Sequence, residues 1–109
     1  MAGKFELKKA KDGQFYFNLK ASNGRVILTS ERYKEERSAE QGIASVQKNA
    51  GTDARYEGKT STSGKPYFIL KAGNGEPIGQ SEIYSSSSAA RKGIESVKKH
   101  APGAKVVKS

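Results

Sequence analysis

Apolar and polar residues alternate from the start of the chain. Phe5 and Leu7 are separated by Glu6 and followed by Lys8, the pattern of a strand with one buried face. Asp12-Gly13 marks a turn. Gln14–Ala21 forms a second strand, with Phe17, Leu19 and Ala21 on one face and Tyr16, Asn18 and Lys20 on the other. Asn23-Gly24 is a hairpin signal leading into a third strand, Arg25–Thr29. After Tyr33 the period lengthens. Ala39, Ile43, Val46 and Ala50 recur at helical spacing, as do Ala90, Ile94, Val97 and Ala101, and predict helices over roughly 35–49 and 86–100. Ala54–Lys59 reads as a strand after the first helix. Pro102-Gly103 breaks the chain after the second helix, and Lys105–Lys108 reads as a last strand.

The pattern occurs twice. A shift of 51 residues lays Gly13–Ala50 on Gly64–Ala101 without a gap, with 19 of 38 paired positions identical. Such a period is the mark of duplication. The chain divides into copy 1, residues 1–53, and copy 2, residues 54–109, within one globular domain. A single copy of about 50 residues would bury too little surface alone, so the copies are expected to share one core. Each copy reads β-β-β-α followed by a strand, and the strand between the copies can serve both. The expected class is α+β, a tandem β-β-β-α-β duplication forming one shared antiparallel sheet with both helices on one face.

The duplication sharpens local expectations. A three-residue loop, Ser22-Asn23-Gly24 or Gly73-Asn74-Gly75, with a bulge at the glycine would set Ile27 opposite Leu19 and Ile78 opposite Leu70. Pro77 lacks an N–H, so its strand should be an edge or be bulged there. Gly42 and Gly93 interrupt the apolar helix faces at a cost of about 1 kcal/mol each against alanine, which points to close approach of helix and sheet. Ser85–Ser88 offers an N-cap to the second helix. Lys34-Glu35-Glu36-Arg37 offers no such residue to the first.

Charge and composition narrow the function. Twenty Lys and Arg against 11 Asp and Glu give a net charge of +9, split +4 and +5 on the two sides of residue 51. A field of that sign favours polyanions. There is no cysteine, and one histidine, His100, sits at a helix end where copy 1 has Asn49. These residues assemble no Cys/His pair or thiolate zinc site, and no cofactor or metal motif is present. His100 is read as a favourable partner of the helix C-terminus. Paired-carboxylate chemistry would need Glu31 with Glu82, or Glu6 with Glu57, brought into one cleft. No catalytic residue is assigned, and the chain is read as non-enzymatic. No apolar run approaches a membrane span, and the N-terminus lacks a signal-type apolar segment, so the expected location is cytoplasmic.

Two sets of polar residues recur. Tyr16 and Lys20, with Tyr67 and Lys71, project from the helix-free sheet face. There tyrosine can stack on a base and lysine can contact a phosphate. They are the candidate polyanion- or partner-binding residues; the other readings of this face are a protein interface and a plain solvated surface. Ser30-Glu31-x-Tyr33 and Ser81-Glu82-x-Tyr84 fall at the strand-to-helix junctions. Their structural reading is that Ser and Glu bond free backbone N–H groups while Tyr packs under the helix.

The strings Tyr16-Phe17-x-Leu19-Lys20-Ala21-x-Asn23-Gly24, Ser30-Glu31-x-Tyr33 and Gly42-Ile43-x-Ser45-Val46-x-Lys48, with their counterparts 51 residues on, resemble the YegP-like family of small bacterial tandem-repeat proteins, a domain-of-unknown-function family. The resemblance covers nearly the whole chain. It implies two β3-α-β units forming one sheet, with exchange of the strands that follow the helices. It implies no activity, so no functional residue is carried over.

Overall fold

Alternation along Lys4–Lys9 turns Phe5 and Leu7 into the interior, and the same alternation repeats strand by strand. The computed structural model describes residues 3–108. Copy 1 contributes β1 (Lys4–Lys9), β2 (Phe15–Lys20), β3 (Val26–Thr29) and α1 (Glu36–Asn49). A 3-10 turn, Asp53–Arg55, leads into β4 (Tyr56–Thr60), β5 (Pro66–Lys71), β6 (Pro77–Gln80), α2 (Ser87–His100) and β7 (Lys105–Lys108). The strand read over Ala54–Lys59 therefore starts two residues later.

The strands form one sheet of seven in the order β4-β5-β6-β3-β2-β1-β7. The exchange is present: β4, after α1, pairs with β5, and β7, after α2, pairs with β1 of copy 1. The sheet is antiparallel except at β1–β7, which run parallel, so it is mixed rather than wholly antiparallel. The cause is where α2 ends. A Cβ on Gly3, at the start of β1, would lie 3.2 Å from that of His100 at the end of α2. Both strands thus start from the same end of the sheet.

Both helices cover one sheet face. Phe5, Phe17, Leu19, Phe68 and Leu70 from the strands meet Ala39, Ile43, Val46 and Val97 from the helices in one core. The helix glycines mark the closest approach. A Cβ on Gly42 would lie 2.9 Å from Cζ of Tyr33 and 3.0 Å from Cε2 of Phe17; on Gly93 it would lie 2.6 Å from Cζ of Tyr84 and 3.1 Å from Cε2 of Phe68. Each tyrosine ring lies nearly parallel to its phenylalanine, at 6.4 Å and 9° in copy 1 and 6.2 Å and 7° in copy 2. The ring is therefore a spacer between sheet and helix, and glycine is what leaves room for it.

The caps differ as the sequence implies. The Ser86 hydroxyl accepts from the Ala89 N–H at 3.1 Å, whereas Glu35 makes no side-chain cap. Both hairpins have the three-residue loop, closed by Ala21 N–H to Arg25 O and Ala72 N–H to Glu76 O at 2.9 Å. Gly24 and Gly75 sit at φ +87, where glycine is unstrained. The register beyond the loop corrects the expectation. Lys20 pairs with Val26, then a bulge leaves Ile27 unpaired and sets Leu19 opposite Leu28. Likewise Lys71 pairs with Pro77, Ile78 is bulged, and Leu70 faces Gly79. The bulge buries both Ile27 and Leu28, at 6% and 0% exposure, where regular alternation would bury one. Among the described residues no helix is long and apolar enough to cross a membrane.

Candidate functional site

The helix-free face is ordered by strand pairing. Glu57, Ile69, Gln80, Thr29, Asn18, Glu6 and Val107 form one row across all seven strands. Flanking this row, Tyr16 pairs with Lys8 and Lys20 with Lys4, while Lys105 lies beyond Lys4 on β7. In copy 2 Tyr67 pairs with Lys59, and Lys71 lies next to Glu57. All four predicted face residues are half-buried. They are not brought together. Three strand steps separate β2 from β5, and the two strands run in opposite directions. Ordinary sheet spacings put Tyr16 roughly 20 Å from Tyr67. Each half carries its own Tyr–Lys set.

Each set is built around a glutamate. Glu6 is 3.0 Å from Lys20 and 3.6 Å from both Lys4 and Lys8. Glu57 is 2.5 Å from Lys71 and 3.5 Å from Lys59. The Lys20 ammonium 3.0 Å away holds the Glu6 carboxyl below its ordinary value of 4.5, against partial burial, and Lys8 and Lys4 add to it. Lys71 does the same for Glu57. The sign for stability follows. A carboxyl whose folded value is depressed contributes fully above its unfolded value, and the contribution fades as pH falls below it. The melting temperature should therefore fall as pH drops below 4.5. The Glu6→Gln/Glu57→Gln variant should lose fewer degrees between pH 6 and pH 3 than the natural chain; an equal loss would contradict this account.

Tyr16 also carries a cation, the Arg32 guanidinium 5.2 Å from its ring centroid. The position that corresponds to Arg32 in copy 2 is Ile83. Lys4, Lys8, Lys59, Lys105 and Arg32 belong to this surface although the sequence reading did not single them out. Their signal was available in part: Lys4 and Lys8 alternate with Phe5 and Leu7, so they had to share the face of Glu6.

The junction residues meet at the sheet centre. A groove of about 760 Å³ is lined by Ser30, Glu31, Ser81 and Glu82, with Arg25 and Arg32 at its sides. It does join Glu31 to Glu82. Its serines are occupied: Ser30 Oγ accepts from Phe17 N–H at 2.9 Å and donates to the Glu31 carbonyl at 2.7 Å. Ser81 repeats both bonds with Phe68 and Glu82 at 2.9 and 2.8 Å. Glu82 accepts from Arg25 at 3.1 Å rather than from a backbone N–H. The hydroxyls thus tie the strand ends, and no histidine lines the groove to activate one. Glu6 and Glu57 stand five strand steps apart, roughly 24 Å, and share no cleft. Burial raises the phenols of Tyr33 and Tyr84, with the neighbouring Glu31 and Glu82 adding to it.

His100 is buried, and its Nδ1 donates to the Ser96 carbonyl at 2.8 Å. Asn49 makes the same backward bond to Ser45, also at 2.8 Å. The two residues share one role at two helix ends.

Comparison with known proteins finds the family described as Domain of unknown function (DUF1508) twice, over residues 10–57 and 61–107. The UPF0339 protein PA0329 of Pseudomonas aeruginosa is 55% identical over 95% of this chain and 94% of its own length. The UPF0339 protein YegP of Yersinia pestis is 57% identical over 90% and 88%. Two solution NMR structures share the fold. One is the protein of unknown function yegP from E. coli, with a TM-score of 0.94, 50% identity and coverage of 100% of this chain and 94% of its own. The other is UPF0339 protein SO3888 from Shewanella oneidensis, with a TM-score of 0.93, 45% identity and coverage of 99% and 92%.

Proposed function

The chain belongs to the DUF1508 family, of unknown function, with two copies of the domain, and we propose that it is a non-enzymatic, cytoplasmic binding domain whose helix-free sheet face holds polyanions, single-stranded nucleic acid first among them. One observation carries the reading. Lys4, Lys8, Lys20, Lys59, Lys71 and Lys105 share that face with Glu6 and Glu57, while Glu31 and Glu82 line the central groove together with Arg25 and Arg32. The glutamates hold the lysines in place but leave a positive excess for phosphates. Tyr16 and Tyr67 give each half one ring on which a base can stack.

Fluorescence anisotropy with a labelled oligonucleotide and with heparin, at two salt concentrations, tests the proposal. Affinity should fall steeply with salt, by about 0.7 in log–log slope for each phosphate contact to a single strand. Glu6→Gln/Glu57→Gln should tighten both ligands by freeing lysines. Tyr16→Leu/Tyr67→Leu should weaken the oligonucleotide at least fivefold, in line with about 1–3 kcal/mol per stacked base, and leave heparin unchanged. Absence of binding at low salt, or indifference to the glutamate change, would end the reading.

A second reading is protein association at the sheet edge. It rests on β7, whose outer edge is open and whose Val106 and Val107 are 47% and 42% exposed. Sedimentation at increasing concentration tests it, with a monomer throughout counting against a homodimer.

A further inference from the structure

On the helix side of the sheet, the copy 1 hairpin and α2 enclose a groove of about 510 Å³. Its floor is apolar and small: Ala21 and Ile27 from the hairpin, Tyr84 from the junction, Ala89 and Gly93 from α2. Arg25, Lys92 and the Glu82 carboxylate line it as well. Arg25 is shared with Glu82 at 3.1 Å. Lys92 forms no ion pair among the described residues; Glu95, one turn along α2, lies 3.8 Å from Lys98 instead. Ile83 also lines the groove and is 54% exposed, the most exposed of the large apolar side chains identified.

The duplication supplies an internal control. The equivalent floor in the other half is Ala72, Ile78, Tyr33, Ser38 and Gly42, nearly the same set, which marks the floor as structural. Asn23, Glu82 and Ser96 also recur, as Asn74, Glu31 and Ser45, and Ser85 becomes Lys34; the positions that carry the argument change. Arg25, Lys92 and Ile83 correspond to Glu76, Gln41 and Arg32. Arg32 is engaged with Asp12 at 3.7 Å and with the Tyr16 ring, whereas Ile83 extends the apolar floor into solvent. Only one of two equivalent places thus combines a free ammonium, a guanidinium with donors to spare, and an exposed apolar lip. A concave surface with an apolar floor and a few charged groups is the usual form of a small-ligand site.

We propose that this groove binds a carboxylate with a short apolar tail, either free or as the C-terminus of a peptide. The carboxylate takes the Lys92 ammonium and an open Arg25 N–H, and the tail lies along Ile83, Ala89 and Ile27. The site uses none of the lysines or tyrosines of the helix-free face, so it stands whether or not that face binds polyanions.

The test is a titration of the isotope-labelled protein followed by two-dimensional amide NMR. The probes are hexanoate, 1-hexanol, and a short leucine-terminated peptide with a free or an amidated C-terminus. Hexanoate should shift amides of residues 21–27 and 83–96, with a dissociation constant on the order of 1 mM. Hexanol should bind at least fivefold more weakly. Lys92→Gln should weaken hexanoate at least fivefold and leave hexanol unchanged, while Lys99→Gln, on the same helix outside the groove, should leave both unchanged. If the free peptide binds more tightly than hexanoate and the amide does not, the natural source is a peptide end; the reverse order assigns a small molecule. Shifts located elsewhere, equal binding of acid and alcohol, or insensitivity to Lys92→Gln would overturn the proposal.

Discussion

Gly93→Ala is expected to destabilise the protein by about 2 kcal/mol, although alanine is the better helix former by about 1 kcal/mol. The steric cost has to exceed the propensity gain because the new methyl has nowhere to go. It overlaps the Tyr84 hydroxyl and would lie 2.6 Å from its Cζ and 3.1 Å from Phe68 Cε2. Tyr84 cannot swing away freely, because its ring is stacked on Phe68, which is itself 1% exposed. For a domain of this size the loss should appear as a fall of roughly 10 °C in Tm. Gly42→Ala should lose less, since its nearest ring carbons are at 2.9 and 3.0 Å. Adding Tyr84→Phe to Gly93→Ala should restore part of the loss by removing the closest contact. Urea unfolding of the four chains in that cycle reads both effects. A Gly93→Ala protein more stable than the natural one would show that the tyrosine yields and that the glycine is there for some other reason.

These tyrosines also show which features the sequence could reveal. Ala39, Ile43 and Val46 fix a helical face by spacing alone, and the paired glycines expose the close approach because they interrupt that face twice at one place. The serine run gives the α2 cap because capping is a local interaction. The parallel pairing of β7 was hidden: alternation along Lys105–Lys108 says which side chains share a face but nothing about direction. The register of Ile27 was hidden as well, since adjacent apolar residues Ile27 and Leu28 compete for the core and a bulge admits both. At the candidate site, Tyr16 and Lys20 could be assigned to one face from period two. That Glu6 would gather Lys4, Lys8 and Lys20 depended on the pairing of β1 with β2. The groove between Arg25 and Lys92 had no local signal, because its two sides come from different copies.

The largest effects are expected where the copies meet. β3 and β6 pair only at Thr29 and Gln80, and beside that pair Leu28 lies against Gly79. These two residues occupy equivalent positions of the duplication. Leu28 is fully buried, and a Cβ on Gly79 would lie 2.6 Å from its Cδ2 and 2.7 Å from its Cγ. The junction has room for one leucine. Leu28→Gly should cost about 4 kcal/mol through the cavity it leaves, and Gly79→Leu about 2 kcal/mol through overpacking. The double exchange, Leu28→Gly with Gly79→Leu, moves the leucine across the junction and should cost about 3 kcal/mol rather than the sum. That leaves a coupling of about 3 kcal/mol, at the upper end for residues in direct contact. Chemical unfolding of the four chains measures it, and additive losses would refute the shared volume. The physical consequence reaches beyond one pair. With glycine at both positions the junction would be empty, and with leucine at both it would be overfilled, so of these two residues one of each fills the junction best and the two halves differ here.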